Sequence, residues 1–590
     1  MSKGLFDIIK NVQPSTLTTL NDIVVSGDVI LNNSIFEYGV ASGDPLADRV
    51  ILWTHAKVQN VDSPVELTWV ISENSDLSNP VNSGSVSATK STDYTVKVDA
   101  TGLTAGNDYY YQFTASSGVK SDLGITRTLP PTGVQSVKFA FVSCAHYSAG
   151  YFNVYDAIAR SDAKYVIHLG DYIYEYGAGG YADNSTRNDR QPSGTFDVLS
   201  RSDYENRYAQ YRTDPKLKEL HRTRPWITIW DDHEFCNNSN YYFAQNHNGT
   251  AIGSNPLVSP PLPSNIQGEY RVRKNVAARV WHEWIPVRTQ PNPLIDSLGN
   301  GIPYIIYRSF NFGDLFSLHM TDTRVDGRDQ QYADQSAYIA GLLSGTDASR
   351  NIINSTQLNW LSNRVSNSNA LWQIVGSSVM SIRYLYPYNV LNSFTSGNFV
   401  EIGTQINLYL TAKNTPPASR TPAQQALMNP ALNPLLPLDT DDWNGYPTSR
   451  DRYIAAMVAT GKKVTSIFGD THNSWAGKLK SLNGSLNAGY EFGCASVSAP
   501  GLEALGFGPL AGFVDGRALT GVYGSGAGLV DDMDYVNIGP RGWCELTVTR
   551  TSMTCSYNSV STVASEVYTT QLGFNTITLD TSYNRTFTGP

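Results

Sequence analysis

The sequence predicts an α/β fold with a smaller all-β domain in front of it, and three observations carry that prediction. Residues 36 to about 128 break into short β-rich runs divided by Gly, Pro, Asn and Ser clusters. Beyond residue 131, apolar strand-like runs alternate with helical stretches, the pattern of buried strands under covering helices. Four of those apolar runs end on residues able to hold a metal ion.

Length and composition agree. A chain of 590 residues exceeds one ordinary domain and can bury a sizeable core. Its 41% hydrophobic content argues against general disorder. Charged residues make up only 16%, so surface polarity falls to Asn, Ser, Thr and Tyr. With 43 basic and 52 acidic residues the net charge is −9, and no basic stripe suggests a nucleic-acid partner. Acidity does not exclude an anionic substrate, because a metal site inverts the local field. The five cysteines, Cys144, Cys236, Cys494, Cys544 and Cys555, are odd in number and form no CxxC pair. A disulfide framework and a zinc knuckle are therefore not expected. No run of about 18 apolar residues suggests a membrane span. The first 25 residues show no apolar core, twin arginine or small-residue cleavage site, so no signal peptide is recognised. Oligomeric state is not legible.

In chain order, residues 1–33 read as a leader and 34–130 as the β domain. Strands are expected over VILWTHA (50–56), VELTWVIS (65–72) and YTVKVDATGL (94–103). Leu103 to Gly106 reads as a corner before the tyrosine-rich strand at 109–113. TLPPTG (128–133) reads as a linker, since two prolines force an extended path. Residues 131–590 form the second domain, with buried strands VKFAFVSC, KYVIHLGD, WITIWDD and KVTSIFGD. FNVYDAIARSD and RYIAAMVATG carry helical periodicity. Residues 385–440, rich in Asn and Pro, read as a long surface insertion and a candidate lid. The alternating segment from 544 onward returns to strand as a β-rich tail.

The strand ends carry the chemistry. Phe139–Ser143 ends on Cys144, and Tyr165–Leu169 on Gly170-Asp171-Tyr172-Ile173-Tyr174-Glu175. Trp226–Trp230 ends on Asp231-Asp232-His233-Glu234, and Val464–Phe468 on Gly469-Asp470-Thr471-His472. Singly, each is an ordinary turn or core residue. Open α/β sheets bind ligands at the carboxyl ends of their strands, so four such ends together point to one metal-bearing crevice.

These residues also carry a resemblance. GDYIYEYG and WDDHEFCNN resemble two metal-site motifs of the calcineurin-like metallophosphoesterase superfamily, in its PhoD-type alkaline phosphatase and phosphodiesterase branch. FEYGVASGDP (36–45) and VILWT resemble the start of that branch's N-terminal domain, and QLNWL, ALWQIVG, WNGYPTSRDR and GDTHNSW extend the match in order. The fold implied is a four-layer α/β sandwich preceded by an immunoglobulin- or fibronectin-like β domain. Cys144, Asp171, Tyr174 and His472 are implied to hold Fe3+, with Asp171 bridging to a second position. Asp232, Asp470 and Asn238, an all-oxygen set, are implied to hold Ca2+ there; thiolate and phenolate suit iron, oxygen alone suits calcium. Iron and zinc are not separated by sequence.

The implied reaction is metal-dependent hydrolysis of phosphate esters, monoesters and diesters, by a hydroxide held between the metals. Asp171 and His233 are the catalytic expectations. His233 either contacts the substrate oxygen or protonates the leaving group, or else orients a carboxylate, and Glu234 is expected to hold such a histidine. Arg324 is expected either at the substrate or in an Asp–Arg pair inside the core. The same choice applies to Arg328, because Val325-Asp326-Gly327-Arg328 departs from the branch's usual Tyr-Arg pair. Thr54-His55 is a second departure, in place of Thr-Arg. The resemblance implies a secreted, periplasmic or cell-surface location. Alternatives are a phospholipase D-like or polymer phosphodiesterase, and a surface or structural protein on the same fold. A serine hydrolase and a P-loop or dinucleotide fold are disfavoured, since GxSxG, GxxxxGK[ST] and a helix-opening GxGxxG are missing.

Overall fold

A computed structural model describes residues 35–58, 62–182, 188–194, 196–247, 266–291 and 303–589. The expected leader, 1–33, lies outside these.

Two large mixed sheets pack face to face. Four strands bear on the site: β1 (Ser136–Val142), β2 (Tyr165–His168), β3 (Pro225–Thr228) and β4 (Val464–Phe468). The strands β1, β2 and β3 run parallel at the heart of a ten-stranded sheet. The strand β4 sits centrally in a seven-stranded sheet, parallel to Trp372–Gly376 and Asn487–Gly493. Apolar residues of both sheets, among them Phe139, Phe141, Ile167, Phe316, Ile374 and Phe492, share one buried core. The rings of Phe139 and Phe316 meet across it at 5.8 Å.

Helices complete the outer layers. On the ten-stranded side, Arg201–Thr213 starts at a reciprocal Ser200–Asp203 capping box, and Pro215–Thr223 follows with Asp214 as its N-cap. On the other side, Ser355–Asn367 and Pro447–Ala459 cover the second sheet through Leu361, Val365, Ile454 and Met457. The expected four layers are all present, and both helical periodicities fall on helices.

The all-β region in front consists of Asn82–Ala88, Val65–Ser72, Asp108–Ala115 and Gly124–Arg127 in one sheet, packed over Val40–Gly43, Arg49–His55 and Thr95–Thr101. The corner forms as expected, with the backbone N–H of Thr104 donating to the Tyr109 hydroxyl at 2.7 Å. Val40–Gly43 then pairs in parallel with β3, so the second of these sheets continues the ten-stranded sheet without a break. For the same reason TLPPTG is no free tether: Leu129 is buried, and its N–H donates to Leu46 at 3.0 Å. At the other end, Arg541–Thr549 joins the edge of β1 antiparallel, and Ser552–Val560, Thr570–Asp580 and Arg585–Thr588 extend the sheet outward. The β-rich tail is therefore part of the same layer.

Residues 385–440 differ from the loop their composition suggests. They hold helices Tyr388–Phe394, Phe399–Asn414 and Pro422–Leu427, closed at the base by pairing of Leu385–Pro387 with Leu435–Pro437. Ile402, Ile406, Tyr409 and Leu410 bury one side of the long helix against Val514, Leu529 and Ile538. Tertiary burial, which a weak local periodicity does not reveal, holds these helices.

Candidate metal centre

The four strand ends do converge. Glycine makes the close approach possible at two of them. A Cβ on Gly170, whose φ is +110°, would stand 2.4 Å from Cβ of Asp231, and one on Gly469 would stand 2.4 Å from Cβ of Ser143. Each Gly-Asp pair is thus the point where two strand ends touch. The backbone N–H of Cys144 donates to Gly170 and that of Ala145 to Asp171, locking the ends of β1 and β2 together.

Donor atoms gather in three overlapping groups, each within 4.8 Å: Cys144, Asp171 and His472; Asp171, Asp232 and His233; Asp231, Asp232 and Asp470. Asp171 belongs to two of them. Its Oδ2 accepts from the Tyr174 hydroxyl at 3.1 Å, and that hydroxyl lies 3.0 Å from Nε2 of His472. The Nδ1 of His472 lies 2.6 Å from the Pro500 carbonyl, which fixes the ring with Nε2 turned inward. Asn238 joins the second set through its backbone, whose N–H donates to Oδ2 of Asp232 at 2.6 Å.

Backbone strain marks the same residues. Cys144, Asp171, Asn238, Asp470 and His472 have φ of 62°, 54°, 56°, 58° and 60°, among twelve such non-glycine positions in the described residues. Left-handed backbone costs on the order of 1–3 kcal/mol at each such residue and persists only where the surroundings over-determine it.

The electrostatics call for positive charge. Burial pushes the Asp171 carboxyl well up, and the negative charge of Asp231 and Asp232 adds to the effect. Burial also pushes up Asp470, Tyr174 and the Cys144 thiol, each with further carboxylate repulsion. Burial lowers His472 to about 4, leaving a neutral imidazole fit to ligate. Asp232 goes the other way, to about 2, because Arg324 and His233 outweigh its burial. Its Oδ1 is a buried acceptor with no hydrogen-bond partner, and Arg324 Nη2 stands 3.5 Å from it. Buried anions with an orphaned oxygen, arranged in overlapping donor groups, fit metal ions.

His233 lines the cavity beside this cluster, with Nδ1 2.7 Å from Glu175 Oε2. Burial works to lower its pKa, yet Asp232, Glu175 and Asp171 together hold it well above the usual imidazole range. Glu175, not Glu234, grips the histidine. Glu234 instead accepts backbone N–H groups from Asp171 at 3.0 Å, Tyr172 at 2.5 Å and Asp231 at 2.6 Å, pinning the β2 and β3 ends together.

Arg324 takes the second of its two expected posts. Its side chain is fully buried and pairs with Asp231 and Asp441, and with Asp470 at 3.1 Å. It does not line the cavity. Arg328 is likewise buried and pairs with Asp441 at 2.6 Å. Asp44, beside the start of β3, holds Arg308 at 2.7 Å. Sequence reasoning missed Glu175, although it stands four residues after Asp171 in the same motif. It also missed Asp441, which only proximity to the WNGYPTSRDR motif could have flagged, and His146, which stacks on Tyr174 at 4.5 Å.

All five cysteines are free and buried. No helix among the described residues is long and apolar enough to cross a membrane.

Comparison with known proteins agrees with the motifs. The family model for the PhoD-like phosphatase matches residues 139–557, and that for the PhoD-like phosphatase N-terminal domain matches 24–130. Alkaline phosphatase D of Bacillus subtilis (strain 168) is 31% identical over 457 residues, covering 75% of this chain and 65% of that relative. The match therefore spans just under two thirds of the relative's length. A solved structure of PhoD aligns with a TM-score of 0.72 at 25% identity, over 94% of this chain and 93% of that one. With both models matched in order and most of its length inside the catalytic one, the chain belongs to the PhoD-like phosphatase family.

Proposed function

We propose that this chain hydrolyses phosphate esters, monoesters and diesters, as an alkaline phosphatase with two metal positions. One observation carries the reading: Asp171 is shared by the donor group of Cys144 and His472 and by that of Asp232 and His233, with Oδ2 toward Tyr174 and Oδ1 toward the His233 backbone, 3.4 Å away. Cys144, Asp171, Tyr174 and His472 would hold Fe3+, since thiolate, phenolate and imidazole suit a redox-capable first-row metal. Asp171, Asp232, Asp470 and Asn238 would hold Ca2+, a cation that takes oxygen donors. Bound there, the cations supply Lewis-acid activation of water and neutralise charge on the phosphoryl oxygens.

The chain's own groups do the rest. His472 is kept neutral by burial and oriented by the Pro500 carbonyl. His233, with Nδ1 held by Glu175, offers Nε2 to the cavity, where it meets a phosphoryl oxygen or passes a proton to the leaving alkoxide. Arg324 acts as a positioning residue that keeps Asp231 and Asp470 in place, rather than as a substrate contact. The cavity of about 400 Å³ is large enough for a small ester. Family membership supports the activity and, with it, a location outside the cytoplasm, which cell fractionation would check.

Hydrolysis of p-nitrophenyl phosphate and bis(p-nitrophenyl) phosphate at alkaline pH, with added calcium and with a chelator, tests the reading. Calcium-dependent turnover that disappears in Asp171→Ala supports it. No turnover of either ester, from protein shown to contain iron and calcium, rules it out.

A further inference from the structure

Part of the lining of the cavity beside the donor groups is an apolar wall. Tyr384, Leu438, Trp475, Leu502, Leu505 and Phe507 form it. Leu505 is 66% exposed at the lip, an open leucine beside a cluster of carboxylates. Phe399, 51% exposed, lies against Gly506 and continues the apolar surface outward. The wall is solidly backed: the ring of Phe507 packs on Phe394 at 5.1 Å and Tyr384 on Trp475 at 5.2 Å. It does not collapse into the cavity, and water must cover it when no ligand does.

The charges beside it narrow the ligand. Asp439, Asp441 and Asp442 line the same cavity, and no lysine or arginine does so among the described residues. The guanidinium of Arg324 is buried and taken up by Asp231, Asp441 and Asp470. A phosphate ester bound at the metal positions thus meets no lysine or arginine for a second anionic group, His233 being held by Glu175 and engaged at the phosphoryl end, while an apolar group finds a surface to dry.

Resting on the hydrolase reading, we propose that this wall selects phosphodiesters that carry an alkyl or aryl group and rejects those with an additional negative charge. In the reaction considered, water oxygen bonds to phosphorus, the bond from phosphorus to nitrophenolate oxygen breaks, nitrophenolate leaves, the alkyl–oxygen bond is kept in the alkyl phosphate dianion, and at alkaline pH both protons of water go to solvent. Each methylene laid on such a wall is worth up to about fourfold in affinity, less where water still reaches it.

The test compares methyl, butyl and hexyl p-nitrophenyl phosphate, with a 5-carboxypentyl ester as the charged counterpart, on the calcium-supplemented protein. Leu505→Ser, at an exposed position that folding tolerates, and Phe507→Ser are run alongside. A parallel arm measures binding of methyl- and hexylphosphonate by calorimetry. The expected result is a rise in kcat/KM of at least tenfold from methyl to hexyl, mostly in KM, with the carboxypentyl ester returning to the methyl level or below. The hexyl-to-methyl ratio should fall to threefold or less in Leu505→Ser or Phe507→Ser. A flat wild-type series, or a ratio that both variants retain, overturns the proposal. If no ester turns over, the hydrolase reading fails by itself, and equal binding of the two phosphonates then overturns the wall's role as well.

Discussion

Glu175 Oε2 lies 2.7 Å from Nδ1 of His233, and its other oxygen accepts the backbone N–H of Asn237 at 2.7 Å. One fully buried carboxylate therefore sets both the ring of the cavity histidine and the start of the segment that carries Asn238. Replacing it with glutamine keeps the shape and the backbone contact but removes the charge that holds the histidine in one protonation and orientation. We expect kcat for p-nitrophenyl phosphate to fall by about 10- to 100-fold in Glu175→Gln, with the melting temperature little changed. A kcat within twofold of wild type would remove Glu175 from the account.

Arg324 joins Asp231, Asp441 and Asp470, with Arg328 reaching Asp441 alone. Removing one partner of a buried ion network strands the rest, at about 3–5 kcal/mol. Arg324→Met should lower unfolding stability by that amount in metal-free protein, measured by urea titration. Added calcium should recover part of the loss, because it binds only the folded state. A variant as stable as wild type without metal would show that the carboxylates do not depend on this arginine.

Gly170 has no room for a side chain. Alanine there would meet Asp231 in a left-handed backbone of φ +110°. We expect Gly170→Ala to cost about 2–4 kcal/mol and to shift the Asp171 end away from β3. Metal content, read by mass spectrometry of the purified protein, should fall with it. Full metal content and unchanged stability would mean that the strand ends move apart freely.

A pH effect is expected far from the centre. Asp93 sits between the β region and the helix Ile266–Trp284, accepting from Trp284 Nε1 at 3.2 Å. Burial, then the charge of Glu205, raises it from 3.8 to about 7, with Lys57 pulling against and Glu283 adding. A raised carboxyl favours the folded state fully below its unfolded pKa, and that benefit drains away as pH rises through the folded value. Between pH 4 and 7 the wild type should therefore lose stability relative to Asp93→Asn, and above pH 7.5 the difference should hold steady. Solvent reaches part of the carboxyl, so we expect about 2 kcal/mol rather than the full linkage value. Parallel stability curves from pH 4 to 8 would contradict it.

Much of the centre is legible in the sequence because a parallel strand leaves its side chains at a known end. Cys144, Asp171, Asp232, Asp470 and His472 each follow an apolar run, and the structure gathers them. What the sequence hides lies in pairings between distant segments. Glu175 and Glu234 occupy equivalent-looking places in their motifs, and only the path of the chain decides which one faces His233. Arg324 reads equally as a substrate contact or a buried partner until Asp441, 117 residues away, is seen against it. The pairing of Val40–Gly43 with β3, which merges the front region into the catalytic sheet, leaves no mark in four residues of sequence. The helices between 388 and 427 are hidden for a different reason: their burial comes from residues 502–538, not from a strong periodicity of their own.

The central claim is that one carboxylate, Asp171, serves two metal positions. Metal content per chain, measured by inductively coupled plasma mass spectrometry on wild type and Asp171→Ala purified side by side in calcium, tests it most directly. The account predicts iron and calcium together in the wild type and loss of both in the variant, with the fold intact by circular dichroism. A variant that keeps its full complement of both metals would contradict it.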